Sequence, residues 1–434
     1  MSTSDRTATR ILVGLLVGVG LGLVLRGVGT LVPDTADGIS AVVRHVFEPL
    51  GQVFLRLLFF VVVPLVFCSL TLGLAQLGRL DRLGPLAGKT FLLFALNMAV
   101  GVALGLALMN VLQPGAGIDA SVREQLVAEQ AGAVKVLAGK PTASGLETLN
   151  LMSLVEMFMP RNLLGAVADF QVLPLILFAL LVGAASTLLP DGKRQRWLEV
   201  LETGSELMTR IVNWALKLAP YAVAAMLASV VLKFGASFLV HLLTFVGGVL
   251  AVIALHLFGT LALVVKFATR HGVREFYRAI RVILVTAFST SSSNATLPTT
   301  LTVTTRDLGV SPSTAGFVIP LGATMNMSGT ALYEGCVVLF VAQVYGVPLD
   351  LVQQATLVLM AVLSAVAVAG IPGGSLPLIM GLLVSFGIPA EGIALVLGVD
   401  RILDMARTTL NVAADVVTAC VVDGWGGKPP TAEV

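Results

Sequence analysis

Six apolar runs, at about 11–32, 46–76, 86–113, 163–190, 200–233 and 237–268, are each long enough as helix to cross the roughly 30 Å of a bilayer's hydrocarbon core. In lipid, a spanning segment must satisfy its own backbone N–H and C=O groups, so runs of this length can only be helices there. The composition agrees, with 56% of the 434 residues hydrophobic and 12% charged and a mean hydropathy of +0.95, far outside the range of soluble domains. The chain reads as an all-α polytopic membrane protein. Its first run carries Arg26 as the one charge and no small-residue cleavage pattern follows, so a retained helix is expected and not a removed signal peptide. With 27 basic and 25 acidic residues there is no basic surface of the kind nucleic acid requires, and no nucleic acid is expected as a partner.

Lysine and arginine placement sets the expected orientation. With residues 1–10 cytoplasmic (Arg6, Arg10), the inner loops carry Arg79, Arg82 and Lys89, then Lys193, Arg194 and Arg196, then Arg270, Arg274, Arg278 and Arg281. The polar stretch 114–160 is expected outside the bilayer, and residues 425–434 form a second cytoplasmic terminus. Cys68, Cys336 and Cys420 lie far apart in apolar runs and read as small buried side chains, with no disulfide or zinc site implied. His45, His241, His256 and His271 are equally scattered, which points to packing or interfacial positions and not to a metal. Pro64 and Pro174 are expected to kink long helices, and Arg56 to snorkel.

After residue 280 the apolar runs shorten and break in the middle. "AFSTSSSNATLP" (287–298) sets Ser289 to Asn294 between two apolar half-segments, and "VAVAGIPGGSLPLI" (366–379) does the same with Gly370, Pro372, Gly373, Gly374 and Pro377. A continuous lipid-facing helix tolerates neither, because the freed backbone groups have no water to satisfy them. Two re-entrant hairpins are expected, at 274–306 and 350–387, each followed by a full-length helix, at 311–344 and 389–422. Hairpin plus helix, twice, is an internal repeat of the type that builds transporters, with the broken tips meeting near the midplane.

The last helix holds "DRILDMARTTLNVAAD" (400–415), in which Asp404, Arg407, Thr408, Asn411 and Asp415 share one face and Asp400 extends it. Each charge at mid-bilayer costs on the order of 2.5–3.5 kcal/mol, so the stripe needs partners, water or a ligand. One reading is a self-satisfied Asp–Arg pair that glues helices together. The other is a site for a small polar ion. Arg407 suits a carboxylate through its planar fork, Asp404 suits an ammonium, and Asn411 with N–H groups of the serine tip suits a second carboxylate; together they describe an acidic amino acid.

These residues and motifs resemble the dicarboxylate/amino acid:cation symporters that include the glutamate transporters. "TSSSNATLP", "GATMNMSGTALYEG" (322–335, close to the family's NMDGT motif), "AGIPGG" and "DMARTTLNVAAD" stand in that family's order, and the likeness covers nearly the whole chain. It implies eight transmembrane helices plus the two hairpins, with residues 11–270 mainly a scaffold and 271–424 the core of a sliding transport domain that also takes the third and sixth spans. It further implies a homotrimer in a bacterial inner membrane. Arg407 would hold the substrate's side-chain carboxylate with Thr330 and the second hairpin at Gly373 and Ser375. Asp404 would take the amino group beside Thr408 and the backbone of Ser291 and Ile371, while Asn411 and the tip at Ser292 and Ser293 would hold the α-carboxylate. The hairpin arginine of some archaeal members is absent, and Arg401 is expected to balance Asp400 and Asp404.

No cofactor is implied; sodium, protons or both are the coupling ions. One sodium site of the family maps onto Gly322, Asn326, Asn411 and Asp415, whose oxygens suit a hard cation. A second, mostly backbone, maps near Thr324, Ala365, Val366 and Val368. A third normally needs the aspartate of NMDGT, which here is Ser328, and Asn97 and Met98 stand where hydroxyl ligands usually lie, so that site is expected not to function. Glu334 stands where proton-carrying members have a glutamate. An isolated intramembrane carboxyl is cheaper to bury protonated, which makes it a candidate carrier; a wet crevice or a structural hydrogen bond is the alternative. The glycine and proline of "AGIPGG" point to this tip as the outer gate. A C4-dicarboxylate carrier is the rival within transport, since its substrate has no ammonium for Asp404. An intramembrane serine hydrolase is the rival outside it; nucleophilic catalysis needs a base in reach, and no histidine follows His271.

Overall fold

A computed structural model of the chain describes residues 3–76, 84–118, 155–156, 158–168, 172–368, 370 and 373–425. Arg79, Arg82, most of the 114–160 stretch, Ile371, Pro372 and the 426–434 tail lie outside the described residues. The first half is α1 (Thr3–Leu31), α2 (Ala36–Val42), α3 (Glu48–Gln76), α4 (Gly84–Leu112), α5 (Leu163–Ala168), α6 (Val172–Ser186), α7 (Asp191–Phe234), α8 (Ala236–Leu255) and α9 (Leu261–Ala268). The second half is α10 (Val273–Thr290), α11 (Ser293–Arg306), α12 (Pro312–Met325), α13 (Ser328–Tyr345), α14 (Leu351–Val366), α15 (Leu376–Ser385) and α16 (Ala394–Trp425). Seven of the described helical stretches are long and apolar enough to cross a membrane. The expected fourth span is represented by α5 and α6, and residues 169–171 between them are outside the described set.

The expected run 200–233 starts earlier than its apolar part. α7 is one helix of 44 residues that takes in Lys193, Arg194 and Arg196, because a helix leaving the bilayer keeps its own hydrogen bonds in water as well as in lipid. Likewise α2 leads into α3 through a π turn, Val43–Phe47. Pro64 does lie inside α3, whereas Pro174 is the third residue of α6.

The helices of the first half pack through small residues. α1 and α7 run parallel and in register: a methyl added to Gly14 would stand 2.3 Å from the Pro220 carbonyl oxygen, one on Gly18 2.5 Å from that of Ala224, and one on Gly22 2.8 Å from that of Ala228. Without a Cβ at every fourth position the two backbones touch, and close van der Waals packing drives helices together in lipid. α3 lies against α7 and α6.

Paired helices stand at both places where hairpins are expected. α10 ends at Ser291, whose φ of 50° closes the helix in the left-handed region, and Ser292 opens α11 by accepting from Ala295 N–H at 3.2 Å. At 18 and 14 residues the arms reach only about 27 and 21 Å at 1.5 Å per residue. The second hairpin is α14, opened by a reciprocal Asp350–Gln353 capping box, and α15, only 10 residues long with Pro377 in its first turn.

The helix expected at 311–344 is not continuous. It breaks at Asn326 and Met327 into α12 and α13, because these two residues leave helical dihedrals and Asn411 supplies the acceptor that the first N–H groups of α13 lack. α16 touches α10, α11, α12 and α13, and α4, α8 and α9 wrap the outside of this group. Some 94% of the apolar window in 312–345 and 83% of that in 390–424 are buried in protein, so α12, α13 and α16 meet protein and not lipid.

Candidate functional site

The polar face of α16 is buried along its length from Asp400 to Asp415. Arg407, 2% exposed, is held on three sides. Its Nη2 and Nε donate to Asp404 Oδ1 at 2.8 and 3.0 Å, its Nη1 donates to Asp400 Oδ1 at 3.0 Å, and its guanidinium lies 4.5 Å from the centroid of the Tyr333 ring. Asp404 Oδ2 takes Arg401 Nη1 and the Gly373 N–H, both at 3.4 Å. Arg401 therefore pairs with Asp404 as expected, but the partner of Asp400 is Arg407 at i+7. Gly329 lets α13 approach this point, since a Cβ there would stand 2.3 Å from the Arg407 carbonyl oxygen.

This pairing is the self-satisfied arrangement that the spacing allowed, yet Arg407 is not turned away from the cavity. A small cavity of about 20 Å³ is lined by Ser291, Ser293, Met327, Thr330, Val368, Gly370, Gly374, Ser375, Asp404, Arg407, Thr408 and Asn411. Eight of the expected substrate residues thus meet in one place. Ser292 and Gly373 do not line it; they face a larger crevice of about 610 Å³ between the hairpin tips and α1, α3 and α7. The reason for Ser292 is that its side chain is spent on the α11 cap and on the other hairpin, where Ser292 Oγ donates to the Gly370 carbonyl at 2.8 Å. That bond joins the two tips beside the small cavity. Of the other lining residues, Val368 was expected at a cation position and Gly370 and Gly374 at the second hairpin tip, whereas Met327 is one that sequence patterning did not single out.

Two groups in the cavity ask for a ligand. Ser291 Oγ and Ser375 Oγ are buried without a hydrogen-bond partner among the described residues, which native structures rarely leave uncompensated. The N-termini of α11, α13 and α15 converge here, and helix N-termini favour anions. Asn411, by contrast, is fully used: Oδ1 accepts from Gly329 and Thr330 N–H at 2.7 and 3.3 Å, and Nδ2 reaches Thr330 Oγ1 and Met327 Sδ, each at 3.3 Å.

Beneath it, Asn326 Nδ2 donates to Asp415 Oδ1 at 2.9 Å and leaves its own Oδ1 buried without a partner among the described residues. Gly322 faces this pair so closely that a Cβ would stand 2.3 Å from Asp415 Oδ1. A carboxylate and a free amide oxygen without bulk between them fit a hard cation. Thr324, Val366 and Val368 line a separate cavity of about 150 Å³ with Asn294, Ser69 and Thr209, next to the C-terminal carbonyls of α14, where Ala365 is buried and the helix dipole favours a cation. At the expected third position, Ser328 Oγ lies 3.3 Å from His256 Nε2. His256 is fully buried in a π turn of the sixth span, a contact across 72 residues that nothing in the local sequence signals. Its serine partner is Ser328 of the broken helix and not a hairpin-tip serine. Glu334 is fully buried and faces Ser364 on α14.

The family model described as the sodium:dicarboxylate symporter family matches residues 8–425. A proton/sodium-glutamate symport protein of Bacillus caldotenax is 31% identical over 97% of this chain and 94% of its own length. A proton/glutamate-aspartate symporter of Escherichia coli (strain K12) is 32% identical over 95% and 92%, and a C4-dicarboxylate transport protein of Solibacter usitatus is 30% identical over 95% and 91%. These proteins are carriers and not enzymes. With a family model that spans almost every residue and relatives of 30% identity or more along nearly their whole length, the chain belongs to the sodium:dicarboxylate symporter family.

Proposed function

We propose that this protein is a secondary active symporter that takes up an acidic amino acid, glutamate or aspartate, with sodium, protons or both. The observation that carries this is the buried Arg407 at the wall of a small cavity, beside an aspartate and two serine hydroxyls without a partner among the described residues. Two N–H groups of Arg407, one on each Nη, remain for the substrate's distal carboxylate, since three of its five donors are spent on Asp400 and Asp404. Ser291, Ser293 and the N-terminus of α11 receive the α-carboxylate, and Asp404 turns toward the ammonium. Sodium is cargo at Asp415 and Asn326 and at the end of α14, and Glu334 is the proton carrier.

A 20 Å³ cavity has no room for an amino acid, so entry requires the tips to part. Breaking the Ser292–Gly370 bond opens the site to the 610 Å³ crevice, and the "AGIPGG" tip is the gate. The moving body comprises α10 to α16 with α4, α8 and α9, and it slides against α1, α3, α6 and α7 by an elevator motion, in a homotrimer with both termini cytoplasmic. Proteoliposomes with sodium and pH gradients imposed separately test the whole reading. Acidic substrates are expected to accumulate under at least one gradient, and Arg407→Ala is expected to lose that uptake by a hundredfold or more, in line with removing a charged hydrogen-bonding group of about 3 kcal/mol. Intact acidic uptake in that variant rejects the assignment.

A C4-dicarboxylate carrier is a second reading favoured by one observation. Asp404 is already satisfied by Arg401, Arg407 and Gly373 N–H, so a substrate without an ammonium leaves no bare charge. Succinate taken up as well as aspartate selects it.

A further inference from the structure

Of the two members of the buried charge cluster that the proposed substrate chemistry does not use, Asp400 and Arg401, Asp400 is the one paired with Arg407. It lines the large crevice and not the small cavity, it is buried, and it holds Arg407 Nη1 at 3.0 Å. The cluster of Asp400, Arg401, Asp404 and Arg407 contains two acids and two guanidiniums and is therefore neutral as a unit. Other charged groups nearby are Lys217, exposed across the crevice on α7, and Glu334 on the same helix as Tyr333.

We propose that Asp400 makes substrate binding depend on the coupled cation, by cancelling the charge of Arg407 in the empty carrier. This rests on the reading of the small cavity as an acidic-solute site. The physical argument is one of net charge in a dry place. An unopposed buried guanidinium attracts any anion of the right size, and solute then binds and moves without its cation. With Asp400 on Nη1 and Asp404 on Nε and Nη2, an incoming monoanion meets a neutral cluster and leaves it one negative charge in excess, a costly state away from water. A sodium ion or proton arriving elsewhere in the core removes that excess. Asp400 touches neither the cavity nor the cation positions, so it acts through Arg407 as a positioning and charge-balancing residue.

The test is equilibrium binding of aspartate to the purified full-length carrier, across sodium concentration at fixed pH and across pH at fixed sodium. The wild type is expected to show an apparent Kd that falls steeply with cation. Asp400→Asn is expected to bind aspartate about tenfold more tightly in the absence of sodium at alkaline pH, a usual size for coupling between sites, and to show a shallower dependence of Kd on either cation. Asp400→Glu keeps the charge and is expected to keep the wild-type slope, which a packing role would not predict; Asp400→Ser serves in place of the asparagine variant if that protein does not fold. A wild-type slope in Asp400→Asn or Asp400→Ser, with Kd unchanged or weakened, overturns the proposal. Wild-type carrier that binds no acidic solute under any condition instead removes the site reading on which it rests.

Discussion

Ser291 and Ser375 sit at opposite tips with buried hydroxyls that have no partner among the described residues, and this makes them better probes of the site than residues already bonded. Removing an unsatisfied hydroxyl from the empty carrier takes away a desolvated group, whereas removing it from the loaded carrier takes away a bond of about 1 kcal/mol. Ser291→Ala and Ser375→Ala are each expected to raise the KM for acidic substrate by about fivefold with no fall in Tm; a fall in Tm with KM unchanged shows that the hydroxyls serve packing. At this scale the sequence was legible wherever one helix carries the pattern. The spacing from Asp404 to Asp415 gives the face without any coordinates. It does not give the pairing of Arg407 with Asp400, because a guanidinium on that face reaches i−3 and i−7 alike, and it is silent on His256 and Ser328, which meet only when the sixth span folds across the broken helix.

The helical elements followed from backbone bookkeeping: runs that lipid would not tolerate as continuous helix became hairpins, and Ser291 and Ser292 end one arm and begin the next with their own dihedrals and hydroxyl. The break at Asn326 and Met327 was less legible, since the acceptor that permits it, Asn411, comes from 82 residues away. The α1–α7 seam offers a direct test of element packing. Gly18→Val places side-chain atoms where the Ala224 carbonyl already stands and is expected to cost about 1–3 kcal/mol, read as a lowered Tm of the purified carrier, while the same change at Gly20, which has open space around it, leaves Tm within error. Equal effects at both positions reject the seam.

Across the whole molecule, the proposed division into scaffold and moving body predicts opposite outcomes for two crosslinks. Asn110 and Gln354 bond at 2.7 Å between α4 and α14, both in the moving body, so a cysteine pair there is expected to leave uptake intact after oxidation. Leu227 on α7 and Gly398 on α16 touch across the boundary, where a Cβ on Gly398 would stand 2.5 Å from Leu227 Cδ1; a cysteine pair there is expected to stop uptake until reduced. The reverse result assigns α4 to the scaffold. The α1–α7 seam also determines which mutational injuries can be healed. What opposes Gly14 and Gly18 is carbonyl oxygen of the facing backbone, whereas Gly51 meets the Met226 side chain and Gly204 the Cys68 sulfur. Suppressor screens should therefore find second-site revertants that trim the facing residue for lesions at Gly51 and Gly204, but only same-site reversion at Gly14 and Gly18, because no codon change can shorten a peptide group.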